Sequence, residues 1–390
     1  MKTIGDQQLL KKINRSVLLR ALREKAGLSR ADLARKSGLT KSTVSALVRE
    51  LIDEDWIQEA NAPMSLDGLG RPSTPLQLNA KLRVLIGVEI AVECLRIVGV
   101  SLSGEVLSKL EIPIDQLKPE SICQLTTQCI FTLSQQLDKD DLILSGIGIC
   151  LPGAINDDSG LVRFAPNLGW REVPFLNMIS DHLARIGMPN VPICVQNDAD
   201  AAALGEYEFS ESDGQDPLIF ISCDVGVGAG IVLNDRLFTG AIGVAGEIGH
   251  TILQVGGPMC SCGRRGCAET FIGSSAIRRA GNVEEAGQYL GVLIQNLDVM
   301  FNPRKIILGG KSCVNEAKLN ELAIACASSY AKSAGLLQTQ VSVARYGLLA
   351  AAVGAAALVW HRHLRPISSG KAVDATSAQI DHKLGLNNTY

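Results

Sequence analysis

The chain carries the stretch GEIGH at residues 246–250 and, shortly after it, CSCGRRGC at residues 260–267. One imidazole and three thiols therefore lie within eighteen residues: His250, Cys260, Cys262 and Cys267. Soft sulfur with one nitrogen suits a closed tetrahedral Zn²⁺ site, because these ligands fill all four positions of the ion. The glycines between the cysteines let a short loop fold back on the metal. The stretch predicts a structural zinc site; the alternative is that its cysteines are ordinary core residues.

Two carboxylates flank these predicted metal ligands, Glu247 and Glu269. A metal-bound loop would fix their positions, so that both could accept hydrogen bonds from a polyol. His250 could bind zinc through one ring nitrogen and contact a sugar hydroxyl through the other. For Glu269 the alternative is a solvated carboxylate without a ligand.

Length and composition indicate a globular protein with more than one domain. The chain has 390 residues, of which 46% are hydrophobic and 20% charged. A chain of this length is too long to fold around a single ordinary hydrophobic core. Eleven cysteines without a signal-peptide pattern predict a cytoplasmic protein, because clustered thiols in a reducing compartment bind metal more often than they pair. The longest apolar stretch, at residues 347–360, is too short to span a bilayer and predicts a buried helix.

Residues 1–80 predict a winged helix-turn-helix DNA-binding domain. Residues 15–23 have one apolar face, and a capping box at residues 29–32 would open a second helix. Ala34 would let the two helices approach closely, Gly38 would form the tight turn between them, and Val44 on the second helix would fill their shared core. Lys and Arg outnumber Asp and Glu thirteen to nine in residues 1–79, although the whole chain has a net charge of −3. A purely structural three-helix bundle is the alternative.

The candidate DNA contacts follow Thr40, which would cap the recognition helix. Short or basic side chains on its first turns could touch phosphates and base edges: Lys41, Ser42, Thr43, Ser45 and Arg49. The turn-rich stretch 61–75 and the strand-like residues 76–78 suit a wing, which would place Arg71 in a narrow minor groove. The alternative for this stretch is a solvated linker.

From Val84 onward the sequence alternates between strand-like and helical patterns, which predicts an α/β body with mixed sheets. The strand candidates are residues 85–90, 95–101, 142–150, 193–196, 218–222, 229–233 and 305–308.

Four segments of this body together resemble the ROK family, whose name joins repressors, open reading frames and kinases. They are NDADAAALGE at residues 197–206, GEIGH at 246–250, the cysteine cluster at 260–267 and GCAE at 266–269. The resemblance extends from about residue 15 to about residue 360. The predicted DNA-binding domain at residues 1–80, called the head below, is similar to that of the sugar-responsive repressors of the xylose-repressor type.

The resemblance implies a two-lobed actin/hexokinase-like fold, a monosaccharide in the cleft, a structural zinc and a homo-oligomer, either a dimer or a tetramer. We expect the first lobe at residues 81–200, the second lobe with the zinc loop at 201–365, and a flexible tail at 366–390.

The predicted sugar ligands include Asn197 and Asp198, which follow an apolar strand at its carboxyl end, where α/β sheets place ligands. An Asp there can accept a hydroxyl proton, and Asp198 matches the family position of the kinase base; its alternative role is a helix N-cap only. Asn167, in PNLGW at residues 166–170, matches a family position that lines the sugar cleft.

The nucleotide side of the cleft differs from the kinases of the family. Their first phosphate loop reads Asp-x-Gly-Gly-Thr, whereas this chain has Glu89, Ala91, Val92 and Glu93 there. Side chains replace both glycines, and a carboxylate replaces the threonine. At about 5 Å and an effective dielectric near 20, one unit-charge repulsion costs roughly 3 kcal/mol. The glycine-rich residues 224–230 and 309–310 would suit phosphate and adenosine, yet without the first loop they are weak evidence of nucleotide binding. We therefore expect no phosphoryl transfer.

These features predict a transcriptional repressor of sugar-metabolism genes. A dimer would present two recognition helices to a two-fold symmetric operator, and sugar in the cleft would favour one arrangement of the lobes. The helix at residues 347–360 and the segment that joins the head would transmit this change. Two alternatives remain open: an ATP-dependent monosaccharide kinase with a DNA-binding head, and a regulator whose inducer is another protein.

Overall fold

The computed structural model describes residues 7–60, 74–188, 191–210 and 216–366. The chain divides into two compact units, one formed by residues 1–79 with 361–390 and the other by residues 80–360. The predicted tail at 366–390 lies almost wholly outside the described residues, as does the wing segment at 61–73.

The first unit contains three helices and a short antiparallel sheet among its described residues. Their bounds are α1 (Gln7–Glu24), α2 (Arg30–Ser37), α3 (Lys41–Asp53), β1 (Ile57–Glu59) and β2 (Leu76–Leu78). The two strands pair with Ile57 opposite Leu78, so that the predicted strand at residues 76–78 is present. Burial of leucines and valines from all three helices forms the core of this unit.

The helix caps and the turn of the helix-turn-helix have the chemistry that the sequence predicts. The Ser29 hydroxyl accepts a hydrogen bond from the backbone N–H of Asp32, and the Asp32 carboxylate accepts one from the backbone N–H of Ser29 at 3.0 Å. Gly38 ends α2 in the left-handed region at φ 71°, which a residue with a Cβ adopts only at a cost. Thr40 caps α3 by accepting a hydrogen bond from Thr43 N–H at 3.2 Å.

The second unit has two lobes. The elements of the first lobe are β3 (Arg83–Ile90), β4 (Cys94–Ser101), β5 (Val106–Pro113), α4 (Pro119–Lys139), β6 (Ile143–Leu151), β7 (Ala154–Ile155), β8 (Val162–Ala165), β9 (Trp170–Val173), α5 (Phe175–Arg185) and β10 (Ile193–Asn197). Those that follow are α6 (Asp198–Glu208), β11 (Leu218–Cys223), β12 (Val227–Leu233), β13 (Arg236–Leu237), α7 (Glu269–Ile272), α8 (Ser274–Ala280), α9 (Val283–Phe301), β14 (Lys305–Gly309), α10 (Gly310–Asn315), α11 (Ala317–Ser333), β15 (Gln340–Val343) and α12 (Ala350–Leu364).

The two lobes repeat one sheet topology. In the first lobe the strand order is β10-β6-β3-β4-β5, and in the second it is β13-β12-β11-β14-β15. Each sheet begins with three antiparallel strands and adds two parallel ones on the other side of the first strand. Each lobe encloses its own cluster of buried aliphatic side chains. This duplicated arrangement is the mixed α/β body that the sequence predicts.

Two helices cross between the lobes. Helix α6 follows the last strand of the first sheet and packs against β11 and β12 of the second. Helix α12 follows the second sheet and packs against the first, where a Cβ on Gly148 would lie 1.7 Å from the carbonyl oxygen of Ala355. The two helices also meet each other, since a Cβ on Gly205 would lie 3.0 Å from the Cα of Gly354. An expected lobe boundary at residue 200 would therefore fall inside α6.

Helix α12 contains the apolar stretch that the sequence predicts to be buried. With the 3₁₀ turn Gly347–Leu349 before it, this segment is long and apolar enough to cross a membrane by length and composition. However, 67% of that window is buried within the protein, as in the core helix of a globular domain. Its final turn, from His361, belongs to the first unit, where the ring of His363 stacks on Trp56 with centroids 4.1 Å apart.

Strands β5 and β15 were not predicted from the sequence. Both lie at the edge of their sheets, and most residues of β5 are exposed or half-buried. The sequence of β5 includes Lys109 and Glu111 and lacks the apolar run on which strand prediction depends, whereas β15 is only four residues long.

Candidate functional site

A cleft of about 250 Å³ lies in the second unit, lined by residues of both lobes. All six residues predicted to bind sugar line it: Asn167, Asn197, Asp198, Glu247, His250 and Glu269. They come from the 3₁₀ turn Pro166–Leu168, the junction of β10 with α6, the 3₁₀ turn Ile248–His250 and the start of α7. The fold thus brings together side chains as far apart in the chain as Asn167 and Glu269, which are separated by 102 positions.

Asn197 and Asp198 have different roles at the start of α6. The Asn197 side-chain oxygen accepts hydrogen bonds from the N–H groups of Ala199 at 2.8 Å and Asp200 at 3.2 Å, and its amide donates to Gly153 O at 3.0 Å. The N-cap is therefore Asn197, so capping alone does not account for Asp198.

The Asp198 carboxyl lies at the wall of the cleft, where its Oδ1 accepts a hydrogen bond from Ala199 N–H at 2.8 Å. Burial raises the pKa of Asp198 to about 6, and the negative charges of Asp224 and Glu247 add to this effect. A carboxyl with a pKa near neutrality can accept or donate a hydrogen bond to a hydroxyl group. Desolvation by burial also raises the pKa of Glu247.

His250 and the three cysteines form one cluster. Their ligand atoms all lie within 4.8 Å of one another. The Nδ1 atom of His250 lies 3.7 Å from Cys260 Sγ, and the sulfur atoms of Cys262 and Cys267 are also 3.7 Å apart. One nitrogen and three sulfur donors at these separations fit a tetrahedral Zn²⁺ ion.

The surroundings of Cys262 and Cys267 act on their thiols in opposite directions. A hydrogen bond from the backbone N–H of Arg264 lowers the pKa of Cys262 to about 6, which favours the thiolate. Burial raises the pKa of Cys267 to about 12, which favours the thiol. A divalent cation bound at this cluster would oppose that effect, because coordination favours the thiolate.

Glu269 joins the cysteine cluster to the cleft. Its Oε1 lies 3.8 Å from Cys260 Sγ, and its Oε2 accepts a hydrogen bond from Val227 N–H at 3.3 Å. The side chain is half-buried.

The opposite side of the cleft contains charges that the sequence did not reveal as partners. Glu89, near the end of β3, lies beside Arg96 on β4, with 3.1 Å between Oε2 and Nη1. Arg96 Nε lies 3.0 Å from Glu111 Oε2 on β5. Burial raises the pKa of Glu89 to about 7 despite the nearby guanidinium. Lys311, at the start of α10, pairs with Glu93 at 2.6 Å.

Sequence reasoning also missed Asp200, a residue that lines the cleft and is 5% exposed. Its Oδ1 is buried and has no hydrogen-bond partner, and burial raises its pKa well above the ordinary value. A strand–helix junction does not show which of its acidic residues turns inward. Only the folding of α6 against the second sheet places Asp200 there.

The predicted DNA contacts lie on α3 of the first unit. Four of them are exposed and recur at helical spacing along one side: Lys41, Ser42, Ser45 and Arg49. Thr43 is half-buried, and its hydroxyl lies 2.8 Å from that of Thr40, so it supports the helix cap. Arg71 falls outside the described residues.

Comparison with known proteins agrees with this architecture. Residues 85–286 match the ROK family, and residues 12–58 match a winged helix-turn-helix DNA-binding domain. The chain belongs to the ROK family. It is 30% identical over 330 residues to the xylose repressor of Bacillus subtilis strain 168, an alignment that covers 78% of this chain and 84% of the repressor.

Two solved structures of the family are similar to this chain. The crystal structure of a ROK family transcriptional regulator, a homolog of the Escherichia coli MLC protein, is 26% identical, covers 91% of this chain and 97% of its own, and superposes with a TM-score of 0.76. A ROK family glucokinase from Streptomyces griseus, solved with glucose and AMPPNP, is 25% identical and covers 70% of this chain and 98% of its own, with a TM-score of 0.56. This chain has the DNA-binding head and is a transcriptional regulator of the ROK family.

Proposed function

We propose that this ROK family regulator is a DNA-binding repressor of sugar-metabolism genes, and that a monosaccharide bound in the cleft modulates its binding to an operator. The head supplies the exposed side of α3, which suits the major groove. The body supplies a cleft with acceptors for several ring hydroxyls. The observation that carries the proposal is the convergence of Asn167, Asn197, Asp198 and Glu247 on one cleft, in a chain that also has a winged helix-turn-helix.

A structural zinc ion supports this cleft in the proposal. His250 would bind it through Nδ1, the ring atom that faces Cys260. The other ring nitrogen would then be available to a sugar hydroxyl, because His250 also lines the cleft. Glu269 contacts the cysteine cluster and the cleft at once, so loss of the metal would disturb the sugar ligands.

The protein is proposed to have no kinase activity. The turn at Ala91–Glu93 carries side chains where the family's kinases have glycines that let backbone N–H groups approach phosphates. Asp198, the residue that matches the kinase base, would serve as a sugar ligand.

The regulatory mechanism rests on two arrangements of the lobes. Sugar shifts their equilibrium only by its difference in affinity for the two, typically about 1–3 kcal/mol in coupled systems. Helix α12 packs along the first sheet of the body, and its last turn belongs to the DNA-binding unit; it is therefore our candidate for transmitting the change. The active species is proposed to be a cytoplasmic homo-oligomer, a dimer or a tetramer, on a two-fold symmetric operator.

DNA fragments selected from a random library by the purified protein provide the test. We expect xylose or another monosaccharide from a panel to release the fragment in fluorescence anisotropy. Asp198→Ala should bind the fragment normally and lose the response to sugar, whereas Asp138→Ala, at an exposed position of α4, should retain both properties.

Two results would contradict the proposal. Binding of DNA with no calorimetric response to any monosaccharide would favour regulation by a protein partner. Release of ADP in a coupled assay with a monosaccharide, abolished in Asp198→Asn, would show a kinase.

A further inference from the structure

The charge of the cleft is strongly one-sided. Seven of its lining residues are Asp or Glu, and among the described residues that line it Lys311 is the one Lys or Arg. Burial keeps part of these carboxyls protonated near neutral pH, since it raises the pKa of Glu89 to about 7 and that of Asp198 to about 6. Glu93 remains charged, because its hydrogen bond with Lys311 lowers its pKa.

The lysine that lines the cleft already has a carboxylate partner within the protein. Lys311 Nζ lies 2.6 Å from Glu93 Oε2, and the two residues are 218 positions apart in the chain. Glu93 lies in the turn between β3 and β4 of the first lobe, and Lys311 lies in the first turn of α10 of the second. The ion pair therefore links the two lobes, on the side of the cleft where a nucleotide would place its phosphates.

We propose that the Glu93–Lys311 pair determines the charge class of the effector: it supplies an internal carboxylate to the one lysine of the cleft, so that the site accepts an uncharged monosaccharide and rejects its phosphate ester. This inference rests on the proposed function, because it concerns the ligand of the same cleft. A phosphate group entering here would have to displace Glu93 from Lys311 and then lie beside that displaced carboxylate and its acidic neighbours.

The size of the effect follows from Coulomb's law. Because the Glu93 side chain is 73% exposed, water screens its charge. One unit-charge interaction at about 5 Å with a dielectric near that of water corresponds to about fourfold in affinity, and losing the repulsion while also freeing Lys311 to about tenfold. The pair is part of a wider pattern on this side of the cleft. The other nearby cation, Arg96, is 5% exposed and lies between the carboxylates of Glu89 and Glu111, so it also has its charge balanced within the protein.

Calorimetry on the full-length protein tests the proposal with xylose and xylose 5-phosphate, and with glucose and glucose 6-phosphate. The wild type should bind a free sugar at least tenfold more tightly than its ester. Glu93→Gln leaves Lys311 without its carboxylate, and it should raise the ratio of ester to free-sugar affinity about tenfold. Because the Glu93 side chain is 73% exposed, the variant should keep the fold.

Two further variants identify the partner of the phosphate. In the double variant Glu93→Gln/Lys311→Met the gain for the ester should disappear, since the cation is gone. Glu321→Gln removes the same charge from an exposed position on α11 and should leave the ratio unchanged.

Three results would overturn the proposal, and they separate it from the function on which it rests. Equal or tighter binding of the ester by the wild type would overturn the charge selection while leaving sugar sensing intact. An unchanged ratio in Glu93→Gln would show that the ion pair does not select. Absence of binding to every sugar and ester tested would contradict the proposed function, and this inference with it.

Discussion

At the residue scale, His250 and Glu269 serve two adjoining structures. Both line the cleft, and both contact Cys260 of the cysteine cluster. A side chain held by a metal loses little rotameric freedom when a ligand arrives, which favours binding. In the proposed function, the cysteine cluster would thus hold hydrogen-bonding groups in place for a sugar, in addition to closing its own loop.

Replacing Cys260 by Ser should remove the metal and weaken the cleft together. Loss of one thiolate from a four-ligand site should lower zinc content from about one ion per chain to a small fraction, as measured by elemental analysis of purified protein. Sugar affinity should fall in parallel. Cys326→Ser, which changes a half-buried thiol outside the cluster, should keep the zinc; equal zinc content in both variants would contradict the assignment.

The raised pKa of Asp198 predicts a dependence of stability on pH. The folded protein holds this proton up to a pH of about 6, whereas the ordinary value is 3.8. The folded state therefore binds more protons between these values, and the contribution of Asp198 to stability falls as pH rises through this window. Relative to wild type, Asp198→Asn should gain up to about 3 kcal/mol in free energy of unfolding between pH values of about 4 and about 7.

Urea denaturation across this pH range measures the difference. Asp138→Asn, on the exposed end of α4, should run parallel to wild type. A constant difference between Asp198→Asn and wild type would show that the carboxyl keeps its ordinary pKa.

At the element scale, the crossing of α6 and α12 depends on glycine. A Cβ on Gly354 would lie 1.9 Å from the carbonyl oxygen of Ala201, and Gly205 on α6 faces the same contact. Backbone atoms cannot move aside as the end of a side chain can, so the helices would have to separate. Two helices that each pack on a sheet of the other lobe have no room for that movement.

Gly354→Ala should therefore destabilise the body despite the better helix propensity of alanine. Overpacking of this kind costs about 1–3 kcal/mol, which exceeds the gain of about 1 kcal/mol from propensity. Thermal unfolding should show a lower midpoint for this variant. Ala325→Ser, which adds one atom at an exposed position of α11, should change the midpoint little, and a midpoint for Gly354→Ala at or above wild type would refute the packing argument.

At the scale of the whole molecule, the salt dependence of DNA binding reports both the contacts of the DNA-binding domain and the number of subunits that make them. Each phosphate contact releases counterions and contributes about −0.9 to the slope of log affinity against log salt concentration. Arg49, exposed near the middle of α3, is a candidate phosphate contact. A dimer uses every such contact twice.

Arg49→Ala should weaken binding to all DNA sequences alike and make the salt slope shallower by about 2 in a dimer, against about 1 in a monomer. Anisotropy titrations over a range of salt concentrations give the slope. Lys318→Ala, which removes an exposed charge from the body, should leave it unchanged. An unchanged slope in Arg49→Ala would exclude this residue from the interface.

The sequence by itself determined those features that local chemistry controls. The capping box at Ser29, the left-handed Gly38 and the cap at Thr40 each depend on residues within one turn, so their residue types already predict the helix-turn-helix. The cysteine cluster could be predicted for the same reason, because its four ligands lie close together in the chain. The apolar strands β3, β4 and β6 followed from their composition.

Only the tertiary structure decided which distant residues meet. Four features join separate parts of the chain. They are the pairing of Glu93 with Lys311, the position of Arg96 between two carboxylates, the burial of Asp200, and the packing of α6 and α12 on the sheet of the other lobe. No local pattern encodes them, since each depends on how two sheets and their crossing helices come together. The physical reason is that local hydrogen bonds and apolar periodicity act over a few residues, whereas burial and charge pairing act over distances in space.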